Sequence, residues 1–366
     1  MRSRWIIGAI ACFVFAWLII PGENEFFKNG EFDAGPMVQL GDADGRTSLM
    51  IVWRTSELSD SRVDYGISGE YVFSVYKPED VHRHAVLLSG LLPGTEYRYR
   101  AMSGKRVIGS DSFRTFPAGG LIRFAFFGDS GSGSAAQYDV AARILEENPD
   151  FILHTGDLIY AKGEDANYPK QFYRPYQKLI ASRIFFPSLG NHDYVESGGR
   201  AWLDNFYLPG VERFYSFDCG NVHLVALDSN FVDSRSADWL ESDLSKTDKL
   251  WKIVFFHHPP FTNKSGRQDS YKIAHFWLPI FKKYKVDLVL CGHDHLYTRF
   301  RPVDGVHYIV EGLGGKSRYK IKPDSRVAFT DNRDYGFGLV EIWGNDLYFS
   351  HITRSGKVLD SLAIEK

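Results

Sequence analysis

His154-Thr155-Gly156-Asp157-Leu158-Ile159-Tyr160 is the stretch on which the reading of this chain turns. The apolar run ahead of it, Phe151-Ile152-Leu153, has the length and composition of a short buried strand. Gly156 permits a tight turn and a close approach of the backbone, and Asp157 and Tyr160 follow. A carboxylate just past the C-terminal end of a strand stands where open α/β sheets hold their ligands. One Gly-Asp pair also marks an ordinary turn, but here the arrangement recurs. Phe124-Ala125-Phe126-Phe127 runs into Gly128-Asp129-Ser130-Gly131. Phe185-Phe186 and Ser188-Leu189 run into Gly190-Asn191-His192-Asp193. Ile253-Val254-Phe255-Phe256 runs into His257-His258-Pro259-Pro260, and residues 286–290 run into Cys291-Gly292-His293-Asp294-His295. Five apolar runs that each end in Asp, Asn, His or Tyr predict a sheet that gathers metal ligands at one edge.

A chain of 366 residues has room for two or three domains and a large core. Apolar residues make up 44% and aromatics 15%, the composition of a globular protein rather than a disordered one. The formal net charge is −2, and no run of basic residues is long enough to suggest a nucleic-acid partner. Of the three cysteines, Cys12 lies in an N-terminal apolar segment, and Cys219 and Cys291 make no disulfide framework. Cys291 sits among imidazoles and hard oxygen ligands and reads as a small buried residue.

Arg2 and Arg4 precede an apolar run over residues 5–20, closed by Pro21-Gly22. That is the profile of an export signal. No small-x-small cleavage site follows Ile20, and the run is slightly short for a spanning helix. Residues 1–22 are therefore expected as either a signal peptide or a membrane anchor formed by residues 5–20. Both place the remaining chain outside the cytoplasm, whether secreted, periplasmic or anchored facing outward.

Residues 30–117 show short alternating runs, residues 49–53, 62–65, 85–88, 97–101 and 111–115, separated by Gly, Pro and Asp at β-sandwich spacing. His82 and His84 read as surface or strand histidines. Pro117-Ala118-Gly119-Gly120 reads as a linker. From residue 121 to 366 strands alternate with amphipathic stretches over residues 135–147, 238–245 and 274–285. Strands are expected again at residues 306–310, 337–342 and 347–352. The result is an α/β domain with its ligands on the connecting loops.

Leu91-Leu92-Pro93-Gly94-Thr95-Glu96-Tyr97 resembles the turn and tyrosine corner of a fibronectin type III domain. Gly128-Asp129-Ser130-Gly131, Gly156-Asp157-Leu158-Ile159-Tyr160, Gly190-Asn191-His192-Asp193, Val254-Phe255-Phe256-His257 and Gly292-His293-Asp294-His295 resemble, in order, the motifs of the purple acid phosphatases. These belong to the calcineurin-like metallophosphoesterase superfamily. The likeness spans residues 35–362 and implies a β-sandwich followed by an α/β domain of two packed β-sheets flanked by helices. Carried over by residue, it implies one metal site from Asp129, Tyr160 and His295, a second from Asn191, His257 and His293, and Asp157 bridging them.

A carboxylate, a phenolate and a shared carboxylate suit a trivalent ion, whereas the second site has only the shared carboxylate as an anion. Fe(III) paired with Fe(II), Zn(II) or Mn(II) follows. Other metallophosphoesterases usually begin with Asp-x-His, and here that histidine position is Gly131, so Tyr160 supplies the missing ligand. His154 and His223 read as satisfied polar residues. His192 reads as general acid or phosphate contact, or as a structural neighbour of Asn191. His258 reads as a substrate contact or as packing beside the ligands.

The expected activity is hydrolysis of phosphate monoesters by a metal-activated hydroxide. A phosphodiesterase or nucleotide hydrolase on the same metals is the alternative, and a non-catalytic exported binding protein a remote one. Substrate choice is expected from the loops at residues 162–170, 263–269 and 315–322. Nothing in the sequence sets an oligomeric state.

Overall fold

The computed structural model describes residues 33–41, 44–67 and 69–366. The expected signal or anchor, Cys12 included, lies outside them. Among the described residues no helix is long and apolar enough to cross a membrane.

The first strands are Ala34–Gln39 (β1), Ser48–Gly66 (β2), Phe73–Ser89 (β3), Glu96–Ser103 (β4) and Arg106–Arg114 (β5). Hydrogen bonding joins them into one five-stranded sheet. The β-rich region expected here is present, but its strands are longer than the apolar runs. The runs at 49–53 and 62–65 belong to the single strand β2. Its polar middle stays extended because β3 pairs along both halves, with register shifts between Arg54, Ser59 and Ser61. Tyr97 Oη accepts the Leu92 N–H at 2.9 Å. His84 is fully buried, stacked on Trp53 with ring centroids 4.8 Å apart and hydrogen-bonded to Thr55 and Ser61.

Two further sheets follow. One has six strands: Ile122–Phe127 (β6), Phe151–His154 (β7) and Ile184–Pro187 (β8) lie parallel, and Gly336–Trp343, Asp346–Thr353 and Val358–Glu365 extend it antiparallel from β6. The other has seven, with Val222–Ala226 (β9), Trp251–Phe256 (β10), Leu288–Cys291 (β11) and His307–Glu311 (β12) parallel at its centre. The expectation of one ligand-bearing sheet edge is thus corrected. β6, β7 and β8 belong to one sheet, β10 and β11 to the other.

The alternation of side chains explains the packing. Leu224, Ile253, Phe255, Leu288 and Leu290 face the core shared with the other sheet, where Phe186 stacks on Phe217 at 3.8 Å. Val225, Val254, Phe256, Val289 and Cys291 face outward into a second core. Helices Ser234–Leu244, Tyr271–Phe276 and Leu278–Lys283 supply Leu240, Ile273 and Phe281 to that second core, and Trp277 joins it from between the last two. The amphipathic stretch at 135–147 is a helix, Ala135–Glu147, whose N-cap Ser134 accepts the Gln137 N–H. The stretch at 274–285 is two short helices instead of one. Pro279 lies in the first turn of the second and has no N–H to continue a helix from the first.

The first sheet is continuous with the rest. Its Met37, Trp53 and Tyr99, with Phe116 just beyond β5, join the same hydrophobic core as Phe151 and Phe186, and Arg54 pairs with Asp165 at 2.9 Å in the segment that follows Tyr160.

Candidate metal centre

The loops after β6, β7, β8, β10 and β11 meet at the carboxyl ends of their strands, where α/β proteins hold ligands. Two sets of side-chain atoms converge there. In the first, Tyr160 Oη lies 3.2 Å from both Asp129 Oδ1 and His295 Nε2, which are themselves 3.2 Å apart. In the second, His257 Nε2 lies 3.1 Å from Asn191 Oδ1, 3.1 Å from His293 Nδ1 and 3.4 Å from Asp157 Oδ2. Ligands about 2.1 Å from one ion stand about 3.0–3.4 Å from each other in octahedral or tetrahedral arrangement, so both sets fit a metal. Asp157 lies between them, with ligand atoms of Asp129, Asp157 and His257 all within 4.8 Å of one another. The structure therefore brings together all seven residues that the sequence reading proposed as ligands.

The backbone holds this geometry at a cost. Asp129, Asp157 and His293 have φ of +56°, +58° and +68°, a region that non-glycine residues rarely enter. Hydrogen bonds fix each one. Asp129 N–H donates to Gly156 O at 3.0 Å, Asp157 N–H to Asp193 Oδ2 at 2.8 Å, and His293 N–H to Asp129 Oδ2 at 2.7 Å. His257 Nδ1–H donates to Thr155 O at 2.8 Å, which leaves Nε2 as the ligand atom. Ser317 Oγ holds His295 Nδ1 at 2.5 Å in the same way.

Electrostatics also fit a cation. Asp129, Asp157 and His257 are all at most 1% exposed. Burial opposes charge on His257, yet Asp157 and then Asp129 push it up to about 9. The carboxylates thus draw onto an imidazole the positive charge that a metal would supply. Burial, then Asp129 and Asp157, push the Tyr160 hydroxyl well above its usual range. It is a neutral phenol unless a metal takes its proton.

Gly131 is closed to any side chain: a Cβ there would lie 2.0 Å from Leu158 O. His192 stands at the mouth. Its Nδ1–H donates to Ala161 O at 2.6 Å, its ring centroid is 4.4 Å from that of Tyr160, and its Nε2 is 4.0 Å from Asp157 Oδ2. His258 lies against His293 with ring centroids 4.4 Å apart. Burial and then His257 lower it to about 3, so it is neutral, with Nδ1 2.9 Å from Ser229 Oγ. With Asn230, Arg267, Lys272 and His293 it lines a cavity of about 460 Å³.

Two supporting residues escaped the sequence reading. The Asp193 carboxylate accepts the N–H groups of Asp157, Ile159 and Gly190. Gln171 clamps the Tyr160 backbone, accepting its N–H at 2.7 Å and donating to its C=O at 2.8 Å. Asp193 could have been found from its place in the third motif, whereas nothing local marks Gln171.

His154 is the satisfied polar residue expected, fully buried, with Nε2 2.9 Å from Ser130 Oγ. His223 is too, between Asp218 at 2.7 Å and Asp243 at 2.8 Å. Burial opposes its charge, but the two carboxylates push it up to about 9. This raised value stabilises the fold fully below about pH 6.5, the ordinary histidine value, and the contribution is lost as pH rises through about 9. His223→Gln should lower the unfolding free energy, measured by denaturant titration, more at pH 6 than at pH 9.5, by a difference on the order of 2 kcal/mol. An equal loss at both pH values would show that His223 acts by packing alone.

The sequence profile of calcineurin-like phosphoesterases matches residues 122–297. Purple acid phosphatase 21 of Arabidopsis thaliana is 29% identical, over 81% of this chain and 76% of its own length. Acid phosphatase type 7 of Danio rerio is 24% identical, over 88% of this chain and 89% of its own. The structure of a purple acid phosphatase from yellow lupin (Lupinus luteus) seeds superimposes with a TM-score of 0.80 at 20% identity, covering 91% of this chain and 74% of that one.

Proposed function

For a chain that carries a calcineurin-like phosphoesterase domain and is a metallophosphoesterase-type hydrolase, we propose that the reaction is hydrolysis of phosphate monoesters, as an acid phosphatase. The observation that carries this reading is the triangle of Tyr160 Oη, Asp129 Oδ1 and His295 Nε2, each 3.2 Å from the others. A phenol and a carboxylate in that relation suit a trivalent ion, which we take to be Fe(III). Asn191, His257 and His293 suit a divalent Fe, Zn or Mn, with Asp157 shared. Held by these residues, two such ions would supply Lewis-acid activation of the attacking water near neutral pH and charge stabilisation of the phosphoryl group.

The chain's own residues do the rest. Asp157 keeps Oδ2 toward both sets of ligands because its Oδ1 accepts the His192 N–H at 2.9 Å. His192 commits Nδ1–H to Ala161 O, so when the ring is doubly protonated Nε2–H is the group that gives its proton to the leaving oxygen and Nε2 is left as the neutral ring's acceptor. His258, neutral and facing the cavity, contacts the substrate. The charged and apolar N-terminal run supports a site of action outside the cytoplasm.

Tyr160→Phe tests the assignment. A phenolate on ferric iron gives a visible charge-transfer band. The mutant keeps the ring and loses only the oxygen, so the fold should persist, the band should vanish and iron should bind more weakly at the first site. Wild type and mutant are reconstituted with ferric iron and a divalent metal before spectra and metal content are measured. Active, iron-containing wild type with no such band would exclude Tyr160 as a ligand.

A further inference from the structure

The loops at residues 262–272 and 315–326 carry eight lysines and arginines against two carboxylates, in a chain whose net charge is −2. One arginine, Arg326, takes both carboxylates, Asp269 and Asp324. Arg267 is engaged with buried Asp294. Lys264, Lys272, Lys316, Arg318, Lys320 and Lys322 have no carboxylate within ion-pair distance among the described residues. No basic run in the sequence announces this lobe, because folding assembles it from two loops. Ser265 N–H donates to Lys320 O at 2.8 Å and Lys322 N–H to Asn263 O at 2.7 Å.

The lobe is built onto the metal centre. Tyr319 stacks on His295 with centroids 4.0 Å apart and planes at 8°, and Lys264 Nζ lies 4.8 Å from the Tyr319 centroid. Lys316 Nζ lies 4.4 Å from the Tyr160 centroid. Arg267 donates to His293 O at 3.2 Å, and Lys272 lines the cavity beside His258 and His293. The ions would engage the phosphoryl group under attack, which leaves Lys272 at the cavity wall and Lys264 beside Tyr319 placed to meet a second anion. The cavity of about 460 Å³ is concave and sized for a small molecule rather than for a flat polyanionic surface.

We propose that the substrate is a small phosphate ester bearing a second phosphate group, which the lobe binds through Lys264 and Lys272 while the first is hydrolysed. This rests on the monoesterase reading above. The test compares kcat/KM of the metal-loaded enzyme for glucose 1-phosphate, glucose 6-phosphate and glucose 1,6-bisphosphate. The bisphosphate should be favoured about tenfold or more at low ionic strength, mainly through KM, and the preference should shrink as salt is added. The double variant Lys264→Gln, Lys272→Gln should lose most of that preference while circular dichroism shows an unchanged fold. A kcat/KM for the bisphosphate no larger than the sum of those for glucose 1-phosphate and glucose 6-phosphate would overturn this inference and leave the monoesterase reading standing. So would a double variant that lowers all three substrates by the same factor. Failure of the metal-loaded enzyme to hydrolyse any of the three esters would overturn both.

Discussion

Asp157→Asn is expected to lower turnover about 10³-fold or more, since two bound metals would supply several kcal/mol of transition-state stabilisation and, under the proposed ligand assignment, Asp157 is the one anion among the described residues shared by both. It is 1% exposed, with Oδ2 3.4 Å from His257 Nε2 and ligand atoms near Asp129. The substitution is close to isosteric. An amide oxygen can still accept the His192 N–H that Oδ1 accepts at 2.9 Å, so the turn should keep its shape. What goes is the negative charge, and an amide N–H₂ placed toward His257 would repel a cation there. Metal analysis of the purified variant should find both sites depleted, with circular dichroism near that of the wild type. Wild-type metal content with wild-type turnover would remove Asp157 from the shared position.

His192→Ala is expected to lower kcat by about 10²–10⁴-fold, the usual contribution of a general acid, with metal content retained. The side chain is not among the converging ligand atoms: its Nε2 is 4.0 Å from Asp157 Oδ2, and it is 37% exposed at the mouth. The loss should be largest for alkyl phosphates, whose leaving oxygens need protonation, and small for aryl phosphates with acidic phenols. Rates across a leaving-group series measure this directly. A uniform loss across the series would assign His192 to holding phosphate instead.

That the five apolar runs end in metal-ligating side chains was legible from the sequence alone, whereas the choice of these seven over neighbours such as His192, Asp193, His258 and Asp294 came from the likeness to the purple acid phosphatases. Local sequence therefore records both the strand and what its end presents. That two sheets share the ligands was not legible from the runs alone. Residues 124–127 and 253–256 read alike, and only pairing partners assign them to different sheets. The continuity of β2 through residues 56–60 was hidden for a related reason, since polar residues that look like a break stay extended when a neighbour pairs across them. Gln171 reaches Tyr160 from the segment before the helix Arg174–Ser182, and no periodicity encodes such a contact. The basic lobe is the clearest case. Its charge is scattered in sequence and concentrated only by the pairing of two loops.

Gly131 carries a historical consequence. An ancestor with histidine at this position would need the Leu158 carbonyl elsewhere, since a Cβ here now lies 2.0 Å from that oxygen. Leu158 is two residues before Tyr160, so the turn that presents the phenol is the turn that shuts out the imidazole. Under the proposed ligand assignment, replacing Tyr160 discards one ligand without making room for the other, and replacing Gly131 displaces the turn before the phenol has been dispensed with. Neither single substitution alone completes the other ligand set. Under that assignment, backbone sterics tie the oxygen ligand at residue 160 to the glycine at residue 131, and lineages that share this turn should keep glycine and tyrosine as a linked pair.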